Sequence, residues 1–152
     1  MKYIQSSKTQ GCFFCAALKD ADGLENLVVA RSHFSFIILN LYPYTSGHLM
    51  VVPQQHVAGL DLLDPAERAD LMELTNRAVE VVRSVYKPQG FNLGINIGEI
   101  AGAGVAAHIH VHVVPRWAGD TNFMTAIADT RVIPEAIEET YTRLKTAWDR
   151  SG

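Results

Sequence analysis

The stretch HIHVHVVPRW, His108 to Trp117, puts three of the chain's six histidines at alternate positions within five residues. Imidazole can serve near pH 7 as a nucleophile, a proton carrier or a metal ligand. In an extended strand, successive side chains face opposite ways, so His108, His110 and His112 form one row while Ile109, Val111 and Val113 point to the other side. Neighbours in such a row stand ~6.5 Å apart, so a bracketed ligand is easier to build than one metal taking all three. The plain alternative is a set of solvated positions on an amphipathic strand. It is disfavoured because Thr, Ser or Lys would serve there, and an unpaired imidazole is costly to bury.

Cys12 and Cys15, the only two cysteines, form a C-x-x-C. That spacing suits two ligands of a tetrahedral zinc, and with no second C-x-x-C the other two must come from histidine. A Cys2His2 set drawing on His56 and one of the clustered histidines is the economical arrangement. A redox pair would require a thioredoxin-like βαβ context, and two ordinary buried cysteines are the remaining alternative. His48, in SGHLMVVP, shares a strand face with Met50 and Val52 and reads either as a core-edge histidine or as a site residue. His33 reads as a surface residue without a role.

Two glycine-bearing stretches approach the cluster. In FNLGINIG (91–98), Asn92, Gly94, Asn96 and Gly98 share a bare, polar face that can adjoin the histidine row in an antiparallel sheet; a bulged edge strand is the alternative. In EIAGAGVAA (99–107), Gly102 and Gly104 allow backbone N–H groups to turn toward an anion, although most such stretches are simple turns.

Positioning these groups requires a sheet. Strand-like runs occur at 26–31, 34–39, 47–53, 91–98 and 108–115, rich in Val, Ile and Phe and bounded by Gly, Pro and Asn. The connections between the first three are too short for parallel crossovers. Asp64, Pro65 and Glu67 open a helix carrying Leu71, Leu74, Ala78, Val81 and Val85, which KPQG (87–90) ends. A second helix is expected from Pro134, with Ile137, Tyr141, Leu144 and Trp148 on one stripe. The fold class is therefore α+β, with about five antiparallel strands and two main helices. The 152 residues read as one domain, its core spanning about 12–117 and a C-terminal tail and helix spanning 118–152.

A net charge of -3, from 13 basic and 16 acidic residues, provides no global basic field for nucleic acid or an anionic membrane. No apolar run reaches the ~20 residues of a membrane span, and MKYIQSSKTQGCFF lacks the pattern of a secretory signal, so a cytoplasmic location is expected.

The string HIHVHVV, together with ILNLYPYTSGHLMVVPQQH upstream, resembles the histidine triad (HIT) superfamily from about Cys12 to Trp117. VVPRWAGDTNFM is similar to the tail of the branch containing diadenosine tetraphosphate phosphorylases and fragile-histidine-triad hydrolases. The resemblance implies a HIT-like fold and a nucleotidyl transferase working through a nucleotidyl-histidine intermediate. Phosphorolysis of diadenosine tetraphosphate to ADP and ATP is the leading reaction. Hydrolysis of dinucleoside polyphosphates or nucleoside phosphoramidates is one alternative, and a non-catalytic zinc-containing nucleotide-binding module is another.

Residue by residue, the resemblance makes His110 the nucleophile, His112 a helper at the phosphates and His48 its upstream buttress. Asn40 falls near the ribose, Asn96 near the phosphates, and Gly102, Ala103, Gly104 and Val105 in the phosphate-holding loop. Trp117 is a candidate for stacking on a base or for packing at a subunit interface. The chain departs from relatives that carry Gln, Ser or Thr just before the triad, which leaves phosphate contacts there to backbone amides. Zinc-bearing members imply Cys12, Cys15, His56 and His108 as ligands of a structural zinc. The expected partners are the nucleotide, phosphate or water as acceptor, and a second copy of the chain in a homodimer.

Overall fold

The computed structural model describes residues 11–121 and 135–152. The elements in chain order are α1 (Phe13–Ala17), β1 (Val28–Arg31), β2 (Ser35–Leu39), β3 (Leu49–Pro53), α2 (Pro65–Tyr86), β4 (Gly90–Ile95), β5 (Val111–Arg116) and α3 (Ile137–Ser151), with 3-10 turns at Leu60–Leu62 and Glu99–Ala101. The five strands form one sheet in the order β1-β2-β3-β5-β4, and every pairing is antiparallel. This is the expected α+β plan.

The strands β2 and β3 are buried at every position, consistent with their places inside the sheet. The helix α2 packs on β2, β3 and β5, and α3 packs on α2 and β1. The core between the sheet and these two helices includes the buried side chains of Ile37, Val51, Val82 and Leu144. Local signals start α2: Pro65 supplies a preset φ at the first helical position, and the Glu67 carboxylate accepts the Asp64 N–H at 2.7 Å. The helix ends at Lys87, left-handed at φ 48, immediately before Pro88, which cannot continue it.

Several strand ends differ from expectation: β3 begins at Leu49 rather than at residue 47, and β4 ends at Ile95 rather than at residue 98. The first strand begins at Val28 rather than at residue 26, because the Asn26 side chain is engaged in a turn. Its Oδ1 accepts N–H groups of Gly23 and Val28 at 3.1 and 3.2 Å, and its amide donates to the Ala17 carbonyl at 3.0 Å. The last helix is described from Ile137, while Pro134, its expected start, lies outside the described residues. Tyr141, Leu144 and Trp148 form its buried stripe as expected, and the Tyr141 hydroxyl donates to the Val28 carbonyl at 3.2 Å. Among the described residues, no helix is long and apolar enough to cross a membrane.

Leu144 is the anchor of α3 and is 1% exposed. Leu144→Ala is expected to destabilise the protein by about 2–5 kcal/mol in a urea titration, through lost burial and the cavity left behind. A loss below about 1 kcal/mol would mean that the helix does not dock on the sheet in solution.

Candidate active site

The pairing of β5 with β3 brings the chemistry together. Met50 lies opposite His112 and Val51 opposite Val111, while His48, just upstream of β3, reaches across to the same face. Gly94 of β4 lies opposite His112 on its other side, and a Cβ there would meet nothing within 4 Å. Asn92 and Gly94 of the expected Asn/Gly face thus adjoin the histidine side of β5, whereas β4 ends at Ile95 and leaves Asn96 and Gly98 beyond the strand.

One expectation is corrected. His108 and His110 precede the paired strand, which begins at Val111 rather than at His108. The partner strand β3 ends at Pro53, which has no N–H, and the chain beyond it diverges. Ile109 N–H bonds instead to the Val57 carbonyl at 2.7 Å, and His108 N–H to that of Val105 at 3.2 Å. The His110 and His112 ring centroids stand 4.8 Å apart, closer than the backbone rise alone would place them.

Main-chain groups determine which nitrogen of each ring carries hydrogen. His108 Nε2 donates to the Pro53 carbonyl at 2.8 Å, which leaves its Nδ1 lone pair facing the two thiols. His110 Nδ1 donates to the His108 carbonyl at 3.0 Å, and Nε2, with no hydrogen-bond partner among the described residues, keeps its lone pair. The Tyr44 N–H donates to His48 Nδ1 at 3.0 Å, so His48 Nε2 carries the hydrogen and donates to His112 Nδ1 at 3.0 Å. The remaining N–H of His112 is therefore at Nε2.

Burial keeps these rings neutral. His108 is fully buried and His110 is 4% exposed. Desolvation pushes His108 and His112 down to about 4. It also lowers His110, against the smaller opposite pull of the His108 carbonyl. At pH 7 the site therefore presents one unprotonated nitrogen, on His110, beside one N–H donor, on His112.

Cys12, Cys15, His56 and His108 converge. Their candidate ligand atoms all lie within 4.8 Å of one another. The Cys12 and Cys15 sulfurs stand 3.3 and 3.7 Å from His108 Nδ1, and Cys15 is 3.3 Å from His56 Nδ1. Two sulfurs and two imidazole nitrogens are the donor set of a closed tetrahedral zinc site, and the Pro53 carbonyl fixes the tautomer that His108 needs. Without a cation, burial and the neighbouring Cys12 push the Cys15 thiol up, away from the thiolate that a metal requires. The residues present fit the metal.

The nucleotide-binding candidates fare unevenly. Asn40 caps the loop before His48: its Oδ1 accepts the Tyr42 N–H at 2.9 Å, and its N–H donates to the His48 carbonyl at 3.3 Å. Asn96 donates to the Gly102 carbonyl at 3.2 Å and so braces the glycine loop. The amides of Gly102 and Ala103 are engaged with the Glu99 and Gly98 carbonyls at 3.0 and 3.3 Å, whereas those of Gly104 and Val105 donate to nothing among the described residues. Within the loop, the amides left without an acceptor among the described residues are therefore those of Gly104 and Val105. Trp117 lies past the far end of β5, ~16 Å of strand from His112, on a turn pinned by the Arg116–Asp120 ion pair. It does not converge with the histidines of its own chain.

Phe14, between the two cysteines, escaped sequence reasoning. Its ring packs against both His108 and His110, at 5.3 and 5.1 Å between centroids. An aromatic inside C-x-x-C was the available signal. The roles of the Tyr44 N–H and the Pro53 and His108 carbonyls had none, since any residue type supplies such groups.

A five-stranded antiparallel sheet carrying alternate histidines, the last buttressed by an upstream histidine, defines a histidine triad domain. The chain belongs to the HIT domain family, whose model matches residues 23–119. It is 50% identical over 126 residues to the AP-4-A phosphorylase of Mycobacterium tuberculosis, an alignment covering 83% of this chain and 65% of that protein. It is 37% identical over 93 residues to the asymmetrical bis(5'-nucleosyl)-tetraphosphatase of Schizosaccharomyces pombe, covering 61% of this chain and 50% of the relative. Among solved structures, a Zn-bound histidine triad family protein from Mycobacterium smegmatis superposes with a TM-score of 0.73 at 30% identity, covering 93% of this chain and 95% of the other.

Gly47, next to His48, has φ +82, and a Cβ there would approach the Tyr86 ring at 3.0 Å. Gly47→Ala is expected to destabilise the fold by about 1–2 kcal/mol from the left-handed backbone alone, read as a lowered melting temperature. An unchanged melting temperature would contradict this geometry.

Proposed function

We propose that the chain cleaves a dinucleoside polyphosphate by way of a nucleotidyl group carried on Nε2 of His110, with inorganic phosphate as the acceptor. The observation that carries this reading is the His110 tautomer. A neutral ring with its Nδ1–H held by a carbonyl exposes one nucleophilic nitrogen. The 50% identity to a protein named AP-4-A phosphorylase supports diadenosine tetraphosphate as substrate, although this chain spans only 65% of that relative's length.

The lone pair on Nε2 attacks the α-phosphorus, and the bond from phosphorus to the bridging oxygen breaks, releasing ATP. The His110 ring, now bonded to the phosphoryl group and still holding its Nδ1–H, becomes cationic. Its charge is stabilised by the His108 carbonyl, 3.0 Å away. No proton must leave His110 for this step. His112 Nε2–H donates a hydrogen bond to the departing oxygen, and His48 holds His112 in the tautomer that can do so. The amides of Gly104 and Val105 face the phosphate oxygens, and Asn40 and Asn96 serve the ribose and the loop. An oxygen of inorganic phosphate then attacks, the phosphorus–nitrogen bond breaks, and its electron pair returns to Nε2, giving ADP.

Cys12, Cys15, His56 and His108 would hold zinc, which ties α1, the loop after β3 and the segment entering β5 into one unit and does no chemistry. Pairing of two copies along the edge strand β4 is supported by the exposure of Leu93 and Ile97. Trp117 then serves at that interface or on the base. Two unpaired cysteines and the metal donor set favour a reducing, cytoplasmic setting.

Incubation with diadenosine tetraphosphate and phosphate is expected to yield ATP and ADP, with turnover dependent on phosphate. Products of ATP and AMP without need for phosphate would replace the acceptor with water, the reading favoured by the tetraphosphatase relative. Purified protein is expected to hold about one zinc per chain by elemental analysis. Cys15→Ser is expected to lose most of it and to melt at lower temperature, whereas retention of full zinc content would refute the ligand set.

A further inference from the structure

The loop from Asn40 to His48 carries the Tyr44 N–H and the His48 ring, the two groups that set the tautomer of His112. Its floor is built from parts of the chain that lie apart from the histidines. Gly47 rests on the edge of the Tyr86 ring: a Cβ on it would stand 3.0 Å from Tyr86 Cδ2 and Cε2, and 3.5 Å from Pro115 Cγ. Tyr86 is the last residue of α2, and two contacts hold its ring in place. Its hydroxyl donates to Glu135 Oε2, and the Arg143 guanidinium lies 4.6 Å over its face. Glu135 in turn accepts from the Thr140 hydroxyl at 2.7 Å and pairs with Arg143.

Glu135, Thr140 and Arg143 lie outside residues 23–119, the span matched by the family model. They belong to α3 and its lead-in. Glu135 and Thr140 also border the loop directly: a small cavity is lined by Asn40, Ser46 and His48 from the loop and by Glu135, Ile137 and Thr140 from the helix side. The C-terminal helix thus abuts the loop that feeds the histidines, and one carboxylate gathers the contacts. With the phenol protonated, its burial and its bond to Glu135 both favour the donor form that the contact uses.

We propose that Glu135 is a positioning residue for the imidazole relay: by gripping the Tyr86 hydroxyl it fixes the ring under Gly47 and so holds His48 in register with His112. The chain of contact runs from Glu135 to Tyr86, to Gly47, to His48 and to His112, and no link before His112 touches substrate. The two site-facing rings then depend on a helix that a comparison confined to the HIT domain would pass over. The effect on catalysis rests on the function proposed above, whereas the effect on the rings does not.

Nitrogen-15 spectra of the imidazoles separate the two, because they report the tautomers of His48 and His112 without any substrate. In the wild type, both rings are expected to carry hydrogen at Nε2. Glu135→Ala and Tyr86→Phe are each expected to shift the His48 and His112 resonances toward mixed tautomers and to lower kcat roughly tenfold with little change in KM. Glu135→Gln, which keeps an oxygen to accept from Tyr86, is expected to restore both readouts. The double variant should be no worse than either single one, because the two residues act through one contact. Unchanged imidazole spectra in folded Glu135→Ala and Tyr86→Phe proteins would overturn the proposal, as would a lowered melting temperature with the tautomers intact. If no dinucleotide is turned over at all, the function proposed above fails while the spectra still decide this inference.

Discussion

Three main-chain groups decide what the clustered imidazoles can do. The carbonyls of Pro53 and His108 each take an N–H from a histidine ring, and the Tyr44 amide donates into a third. The carbonyls leave one free nitrogen on His108 and one on His110, pointing to different tasks, while the amide makes His48 the donor that sets His112. Burying neutral histidine is costly when a polar nitrogen is left unpaired. Here each buried ring has a backbone or imidazole partner at 2.8–3.0 Å, so the desolvation that pushes the rings below neutral pH is tolerated. The rest of the structure can be understood as what keeps those backbone groups in place.

That dependence explains the sheet order. The strands β3 and β5 must be neighbours for Pro53 and His48 to reach the segment entering β5. The interruption of pairing at Val111 frees the preceding residues to meet the loop after β3 through the Ile109–Val57 bond. A fully paired strand from His108 would align three equivalent side chains. The break makes them inequivalent, so that His108 Nδ1 turns to the cysteines while His110 Nε2 has no hydrogen-bond partner among the described residues, with Phe14 packed against both. The candidate metal ligand His108 and the proposed nucleophile His110, two residues apart, thereby point to different partners while sharing Phe14 as a packing neighbour.

Much of this was legible in the residues. The runs rich in Val, Ile and Phe located all five strands, and the Asp64-Pro65-Glu67 signature located the start of α2, because burial and capping act on side chains that the sequence names. The Cys12, Cys15, His56 and His108 cluster followed from spacing together with family resemblance, and the structure gathers it. What stayed hidden rests on backbone groups or on distant pairs. The engagement of the Gly102 and Ala103 amides within their own turn cannot be read from glycine content. The contact of Tyr86 with Glu135 spans separate elements that no local pattern connects. Trp117, adjacent in sequence to the histidine strand, is separated from the cluster by the extended geometry of β5 itself.

The proposed reaction requires a His110 ring that is neutral, held at Nδ1 and reactive at Nε2. Its most direct test is to mix the protein with diadenosine tetraphosphate in the absence of phosphate, quench in alkali, and locate the covalent adenylyl group by mass spectrometry and phosphorus–nitrogen coupling. The account predicts a single adenylyl group on His110, bonded to Nε2. An adduct on another residue, or on Nδ1 of His110, would contradict it.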